Sequence, residues 1–429
     1  MAAWRLNLGS AFHDGGRGAS SGLARKVRRL LVVTQVAVAF VLLVGSGLLI
    51  SSFRHVLAID PGFDTTQVLT ASVSLPVRRY VVQTPDPNVQ DVGAIHRFAD
   101  TAIAHLRATP GVVNAGFTSS IPLSGGTSTN PILAEGRPTP PGEPPMTAMR
   151  VHVTPGYLET LRVPLKAGRH FDARDTEQAP PVVIVDTRLA ERLWPGQDPI
   201  GRRMAQERDL ASGRDWQTVV GVVGEVSQIA LVADRPVGGV YYYPMAQNPS
   251  LGMTVAVRTA GDPAAMANAL RKAVAAADPA LPLYRLRTFE QVADDSLLTR
   301  RWPMLVITAF GAVALLLAAV GLYGVLAYLV TQRTREIGVR MALGGTPRAI
   351  FNLVAREGLV LMTAGVAAGA VGVVTLKRTM ASQLYGVQAG DPRVLAAATL
   401  VLGLIAFLAC AIPARRATKV DPILALRNE

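Results

Sequence analysis

Residues 304–330, MLVITAFGAVALLLAAVGLYGVLAYLV, run for 27 residues without a charge, and residues 331–358, TQRTREIGVRMALGGTPRAIFNLVAREG, follow at once. An apolar run of about 20 residues crosses a hydrocarbon core of ~30 Å, so the first segment reads as a membrane span with some tilt. A second apolar run opens at Gly358 and reaches Leu376. The return between them carries Arg333, Arg335, Arg340, Arg348 and Arg356, the pattern expected of a cytoplasmic loop.

Outward from this pair the same logic finds two more spans. Residues 30–50, LLVVTQVAVAFVLLVGSGLLI, follow Arg25, Lys26, Arg28 and Arg29, which hold the N-terminus inside. Residues 394–412 end at Pro413, with Arg415, Arg416 and Lys419 just beyond. The first run is too long for a signal-peptide core and lacks a small-residue cleavage pattern, so it is expected to remain as an anchor. Gln35 within it either lines a pathway or bonds to a neighbouring helix. In the third span Gly365 and Gly369 stand at GxxxG spacing, which permits close helix approach; dimerisation is one use of such a pair.

These readings give an α-helical membrane protein with four transmembrane helices and a large α+β extracytoplasmic domain between the first and second. The divisions are a flexible cytoplasmic lead (1–29), a first span (30–52), an extracytoplasmic body (54–302) and a membrane region (303–429). Within the last, spans lie near 304–330, 358–376 and 394–412, with a cytoplasmic hairpin at 331–357. Both termini are then cytoplasmic. The second span is expected to continue as helix into the hairpin until Gly344 and Gly345, because glycine takes the left-handed cap conformation cheaply. Thr346 and Pro347 restart a helix as cap and first residue. The tip, Arg340 to Leu343, offers a mixed apolar and basic surface to a partner.

The net charge of +13 raises nucleic acid as a partner. Residues 1–29, 331–357 and 413–429 together supply +10, whereas 54–302 hold 25 basic and 24 acidic residues. The excess lies beside spans and leaves no basic body for nucleic acid to bind. The single cysteine, Cys410, falls in a span, so no intrachain disulfide can form.

The body alternates strand-like and helix-like patterns. Strands are expected at 68–75, after Gly111, and at 147–153, 181–186, 216–226, 239–244 and 254–259. Residues 91–108 are helical, with Val92, Ile95, Phe98, Ala99, Ala102, Ile103 and Leu106 on one face; with its flanking strands this makes a β-α-β unit. VDTRLAERLWP is a short helix after its strand, and Asp262 caps a helix that has Pro263 at its first position. Six prolines within 131–145 predict an irregular surface excursion, and two lobes are expected to divide near it.

Catalytic patterns do not occur. There is no G-x-x-x-x-G-K-[ST] and no H-E-x-x-H; the one G-x-S-x-G string, GASSG at 18–22, lies in the glycine- and serine-rich lead with no strand before it and makes no nucleophile elbow, and the six histidines lack metal-ligand spacing. His96 and His105 are read as solvated, and Asp172, Asp175 and Glu177 as a solvated turn. The chain is therefore expected to be no enzyme and to hold no cofactor or metal.

Several long segments resemble one family. VTPGYLETLRVPLKAGRHF (153–171), PVVIVDTRLAERLWPGQDPIGRRM (181–204) and VVGVVGEV (219–226) resemble the MacB periplasmic core domain. REIGVRMALGGTPRAIFNLVAREG (335–358) and PARRATKVDPILALR (413–427) resemble the FtsX-like permease domain. The lead and first span are similar to the junction before the second half of the duplicated acidobacterial-type permeases. That likeness implies a half permease or a truncated part of a duplicated one.

The resemblance implies the permease subunit of an ATP-binding-cassette system in a bacterial inner membrane. A separate cytoplasmic ATPase would bind the ATP and drive export or mechanotransmission. Its coupling surface would come from Arg335, Glu336, Gly338, Arg340, Leu343, Gly344, Gly345 and Pro347. Further implied partners are a second permease copy or homologous half, and a periplasmic adaptor or outer-membrane channel. The alternative within this resemblance is an FtsX-like, non-transporting regulator of an envelope enzyme.

Overall fold

The structure, a computed structural model, describes residues 19–81, 91–125, 128–137, 142–207, 209, 216–231, 238–333, 336, 339, 343, 346–381, 384–388 and 390–417. The chain divides into two compact units: Ala58–Thr299, and the described parts of Met1–Leu57 with Arg300–Glu429. In chain order the elements are α1 (Ala19–Leu57), β1 (Val68–Ser74), α2 (Val77–Tyr80), α3 (Val92–Arg107), β2 (Val112–Thr118), β3 (Thr129–Ala134), β4 (Thr147–Val153), α4 (Tyr157–Thr160), β5 (Leu165–Gly168) and β6 (Val182–Asp186). They continue as α5 (Thr187–Leu193), β7 (Arg203–Gln206), β8 (Gln217–Val223), β9 (Val240–Pro244), β10 (Gly252–Thr259), α6 (Ala267–Ala277), β11 (Tyr284–Thr288), α7 (Phe289–Gln332), α8 (Pro347–Ala381) and α9 (Pro392–Ala417).

In the unit 58–299, β1 and β2 both pair antiparallel with β10, which lies between them (Ala71 opposite Val255, Val255 opposite Phe117). The β-α-β unit expected over 68–118 is therefore a split one. Two parallel strands joined through α3 leave a slot, and a strand from far along the chain fills it. Helix α3 starts where Asp91 accepts a hydrogen bond from the Ala94 N–H at 2.9 Å. Its buried stripe (Ile95, Phe98, Ala99, Ala102, Ile103, Leu106) packs with Leu270, Ala273 and Val274 of α6 against Val73, Phe117 and Val255. Asp262 and Pro263 open a short 3₁₀ turn before α6.

The remaining strands close on themselves. Pairing runs β4-β3-β7-β8-β6-β9, and β9 returns to β4 in parallel register with Val151 opposite Tyr242. Side chains alternate as a strand requires: Tyr241 and Tyr243 join one buried cluster with Val183, Val185 and Leu189, while Tyr242 joins another with Val151 and Ile184.

Two expectations fail here. The region around the prolines does not split the body, because Ala58–Thr299 is one compact unit and β2 pairs onward to β4 at Thr118 and Val153. Nor are residues 131–145 irregular throughout, since Pro131 to Ala134 belong to β3. Thr129 to Pro131 pair only with β4 and Ile132 to Ala134 only with β7, so the missing N–H of Pro131 costs little on its unpaired side.

Asp186 links the second cluster to helix α5. Its Oδ1 accepts from Leu189 N–H at 2.7 Å, and its Oδ2 accepts from Val240 N–H at 2.9 Å. Burial pushes its carboxyl up to about 7, against those two hydrogen bonds. A raised carboxyl contributes stability that is complete below the unfolded value near 3.8 and lost as pH climbs to about 7. Asp186→Asn should flatten the pH dependence of unfolding between those limits. The span corresponds to roughly 4 kcal/mol, and melting curves of both proteins across that range measure it.

In the other unit, α1, α7, α8 and α9 are each long and apolar enough to cross a membrane. Of the apolar window of α1, 44% is buried, against 17% for α7 and 22% each for α8 and α9, so α1 is the helix the others surround. Its Val32, Val36, Phe40 and Leu48 share a cluster with Leu322, Leu326, Leu361 and Leu402. The lead read as flexible is helical from Ala19 onward, because arginine, lysine and leucine are good helix formers there; residues 1–18 lie outside the described residues. Pro413 does not end the last helix, which runs to Ala417 with the proline inside it.

Candidate helix-coupling site

Five of the eight expected coupling residues, Arg335, Gly338, Arg340, Gly344 and Gly345, lie outside the described residues. Glu336 stands with its Oε2 4.0 Å from Arg333 Nε. Leu343 is 83% exposed, and its N–H donates to the Val339 carbonyl at 3.0 Å. Pro347 opens α8, where its missing N–H is one a helix start leaves unused.

At the base of this segment the structure brings together residues outside the expected coupling set. The Arg28 guanidinium sits 4.1 Å from the centroid of the Tyr328 ring, a cation–π geometry. Gln332 Nε2 donates to Tyr328 Oη at 2.7 Å. Arg29 donates from Nη2 to Glu357 Oε1, an ion pair of α1 with α8. Arg28 and Arg29 thus face α7 and α8 respectively. The available signal was Glu357 itself, an acid among five arginines in 331–358. Glu357→Ala should lower the melting temperature of the detergent-solubilised chain modestly, because both partners are part-exposed and such a pair is worth about 1 kcal/mol.

Gly365 and Gly369 face α1 of the same chain. A Cβ on Gly365 would lie 2.6 Å from Val36 Cβ and 3.1 Å from the Val33 carbonyl oxygen. One on Gly369 would lie 2.9 Å from both the Ala37 carbonyl oxygen and Phe40 Cβ. The glycine face is therefore occupied within the chain. Gln35 touches α7: a Cβ on Gly321 would collide with its Oε1. That buried oxygen has no hydrogen-bond partner among the described residues, so Gln35 meets a neighbouring helix by packing instead of the expected bond. Cys410 of α9 is buried against Gly358 of α8.

The acidic turn at 172–177 is more structural than solvated. Asp175 is buried and takes both ends of a fork from Arg169, at 2.7 Å each, and this pairing holds the Arg169 guanidinium above its ordinary range. Asp172 binds Arg174, which holds its carboxyl well below the usual carboxylate range. His96 sits 3.8 Å from Asp100 on α3.

Two family models match the chain in succession. Residues 36–273 match the MacB-like periplasmic core domain, and residues 308–422 match the FtsX-like permease C-terminal domain. The chain belongs to the MacB-like family. Among curated relatives, the macrolide export ATP-binding/permease protein MacB of Azoarcus sp. (strain BH72) is 27% identical over 290 residues. The pyoverdine export ATP-binding/permease protein PvdT of Pseudomonas syringae pv. tomato is 26% identical over 277. Each match covers 62% of this chain and 40% of the relative, so the chain spans well under half the length of either. The periplasmic region of MacB from Actinobacillus actinomycetemcomitans aligns at a TM-score of 0.34 and 12% identity, over 56% of this chain and 97% of that one. In this MacB-like chain, the contacts of Arg28, Arg29, Tyr328 and Glu357 therefore lie inside or just outside the matched segments.

Proposed function

We propose that this chain is the permease subunit of an ATP-binding-cassette export or mechanotransmission system. ATP is hydrolysed by a separate cytoplasmic ATPase, and residues 331–357 form the hairpin that docks into it. The chain sits in a bacterial inner membrane with both termini cytoplasmic and residues 54–302 outside. A second permease copy completes the pathway, with a periplasmic adaptor or outer-membrane channel beyond it. The observation that carries this reading is the order of the two family matches, a periplasmic core domain followed by a permease domain.

The four long helices support membrane insertion, and α7 supports transmission. It runs for 44 residues, a length of about 66 Å, so one rod spans far more than a bilayer core. A rotation imposed at its hairpin end reaches its first turn as long as the rod stays stiff. Pro303 is the one proline inside it; it cannot donate to the Thr299 carbonyl and marks where the rod bends most easily.

The test replaces Gly344 and Gly345 with alanine in a native complex purified with its ATPase. Straightening the hairpin should cut permease-dependent ATPase stimulation by about tenfold, a loss near 1.4 kcal/mol of coupling, while membrane insertion is kept. Undiminished stimulation rejects the coupling role. Thiol labelling that places residues 333–357 on the same side as 54–302 rejects the topology.

A further inference from the structure

A cavity with a volume of about 730 Å³ lies between α1, α9 and the segment before α9. That size falls within the roughly 300–1,000 Å³ of small-ligand sites. Its α1 wall is one helical stripe, Leu43, Gly47, Ser51 and His55, spaced by four residues. The stripe passes from apolar to polar over twelve residues, about 18 Å of helix. The α9 side runs the same way in reverse chain order, from Val401 and Ala398 up to Arg393 and Asp391. The two polarity gradients coincide, so the cavity has an apolar floor and a charged mouth. The graded length is close to the ~15 Å of one leaflet's hydrocarbon.

The mouth is built. The Tyr385 N–H donates to Ser52 Oγ at 2.8 Å, and Gly386 turns with φ +67° against the His55 ring, which fixes the segment on α1. Asp391 Oδ1 accepts from Arg393 N–H at 2.8 Å, which leaves Oδ2 for a ligand. His55 Nδ1 contacts the Ser51 carbonyl oxygen at 2.8 Å, which leaves Nε2. Arg393 and Asp391 thus present one cation and one anion side by side.

We infer that this groove binds one bilayer glycerophospholipid with a zwitterionic headgroup, its acyl chain between α1 and α9. The phosphate pairs with Arg393 and the ammonium with Asp391, while an anionic headgroup would meet the Asp391 carboxylate without a countercharge. This rests on the membrane placement proposed above.

The full chain is purified from membranes in mild detergent and its retained lipid is quantified by extraction and native mass spectrometry. About one phosphatidylethanolamine per chain is expected. Ala398→Trp, which fills the groove, and Arg393→Glu, which reverses the phosphate contact, should each lower retention by about fivefold. Leu404→Trp, on the exposed face of α9, should leave it unchanged. A phosphatidylethanolamine with a photoreactive acyl chain should label residues 43–55 and 394–401. Preference for phosphatidylglycerol, labelling spread evenly over the exposed helix faces, or a second copy crosslinked at the groove would each overturn the lipid site. If Ala398→Trp does not fold, Arg393→Glu and the labelling map decide alone. A chain absent from the membrane fraction overturns the membrane placement itself, a result distinct from the others.

Discussion

Leucine at position 369 is expected to remove at least about nine-tenths of the correctly folded chain from the membrane fraction, as read by size-exclusion of a fluorescent fusion. Gly369 lies where a single added carbon would stand 2.9 Å from a backbone oxygen of α1, and backbone cannot step aside as a flexible side chain can. Leucine adds three more carbons in the same direction. Forcing extra methylenes into a packed site costs typically 1–3 kcal/mol, and here the displaced helix is α1, the most enclosed of the four. The neighbouring Gly365 contact opens with it. Gly324→Leu and Gly403→Leu supply the controls, because a Cβ at either position meets nothing within 4 Å. Equal losses at all these sites would mean that glycine itself, not the α1–α8 contact, matters.

Arg258→Leu should be the most damaging single change outside the membrane helices. Arg258 is 3% exposed in its side chain, yet donates to four oxygens: Thr160 O at 2.6 Å, Thr66 O and Asp64 O at 2.9 Å each, and Asp64 Oδ2 at 3.3 Å. Leucine fills much of the volume and satisfies none of them. Stranding buried acceptors beside a carboxylate costs on the order of 3–5 kcal/mol, visible as a fall in melting temperature. Arg162 also binds Asp64, at 2.8 Å, but its side chain is 60% exposed. Arg162→Leu should therefore cost under about 1 kcal/mol. Comparable losses for the two would mean that burial does not set the cost of losing an Asp64 partner.

What could be read from the sequence was whatever repeats locally. The α3 stripe is legible because a 3.6-residue period survives sixteen residues. The central strands are legible because β6 and β9 are buried on both faces and, apart from the terminal Asp186 and Pro244, consist of valine, isoleucine and tyrosine. β5 escapes such reading because all four of its residues are exposed, and β11 because none of its five is fully buried. Pro131 conceals β3. Pairing order lies beyond local reading, since nothing near Ala71 announces Val255 as its neighbour.

The helical site divides in the same way. The spacing of Gly365 and Gly369 gives a close approach but not the identity of the approaching helix. Arg29 and Glu357 stand 328 positions apart, and each taken alone is an ordinary charge beside a span. Gln35 carries a functional signal, an amide inside a membrane segment, and only the geometry reveals its neighbour as a glycine.

The six strands that pair in a loop have neither a first nor a last member. A foreign strand therefore finds no raw end there to extend; of the strands outside the loop, β11 and β5 offer only five and four residues of backbone, and the second edge of β2 is held by β4 at Thr118 and by Thr154 at Phe117. Folded copies crowded together have little with which to zip into fibrils. Rupture of the loop, for instance by separating β9 from β4, would be the event that turns this domain into aggregating material.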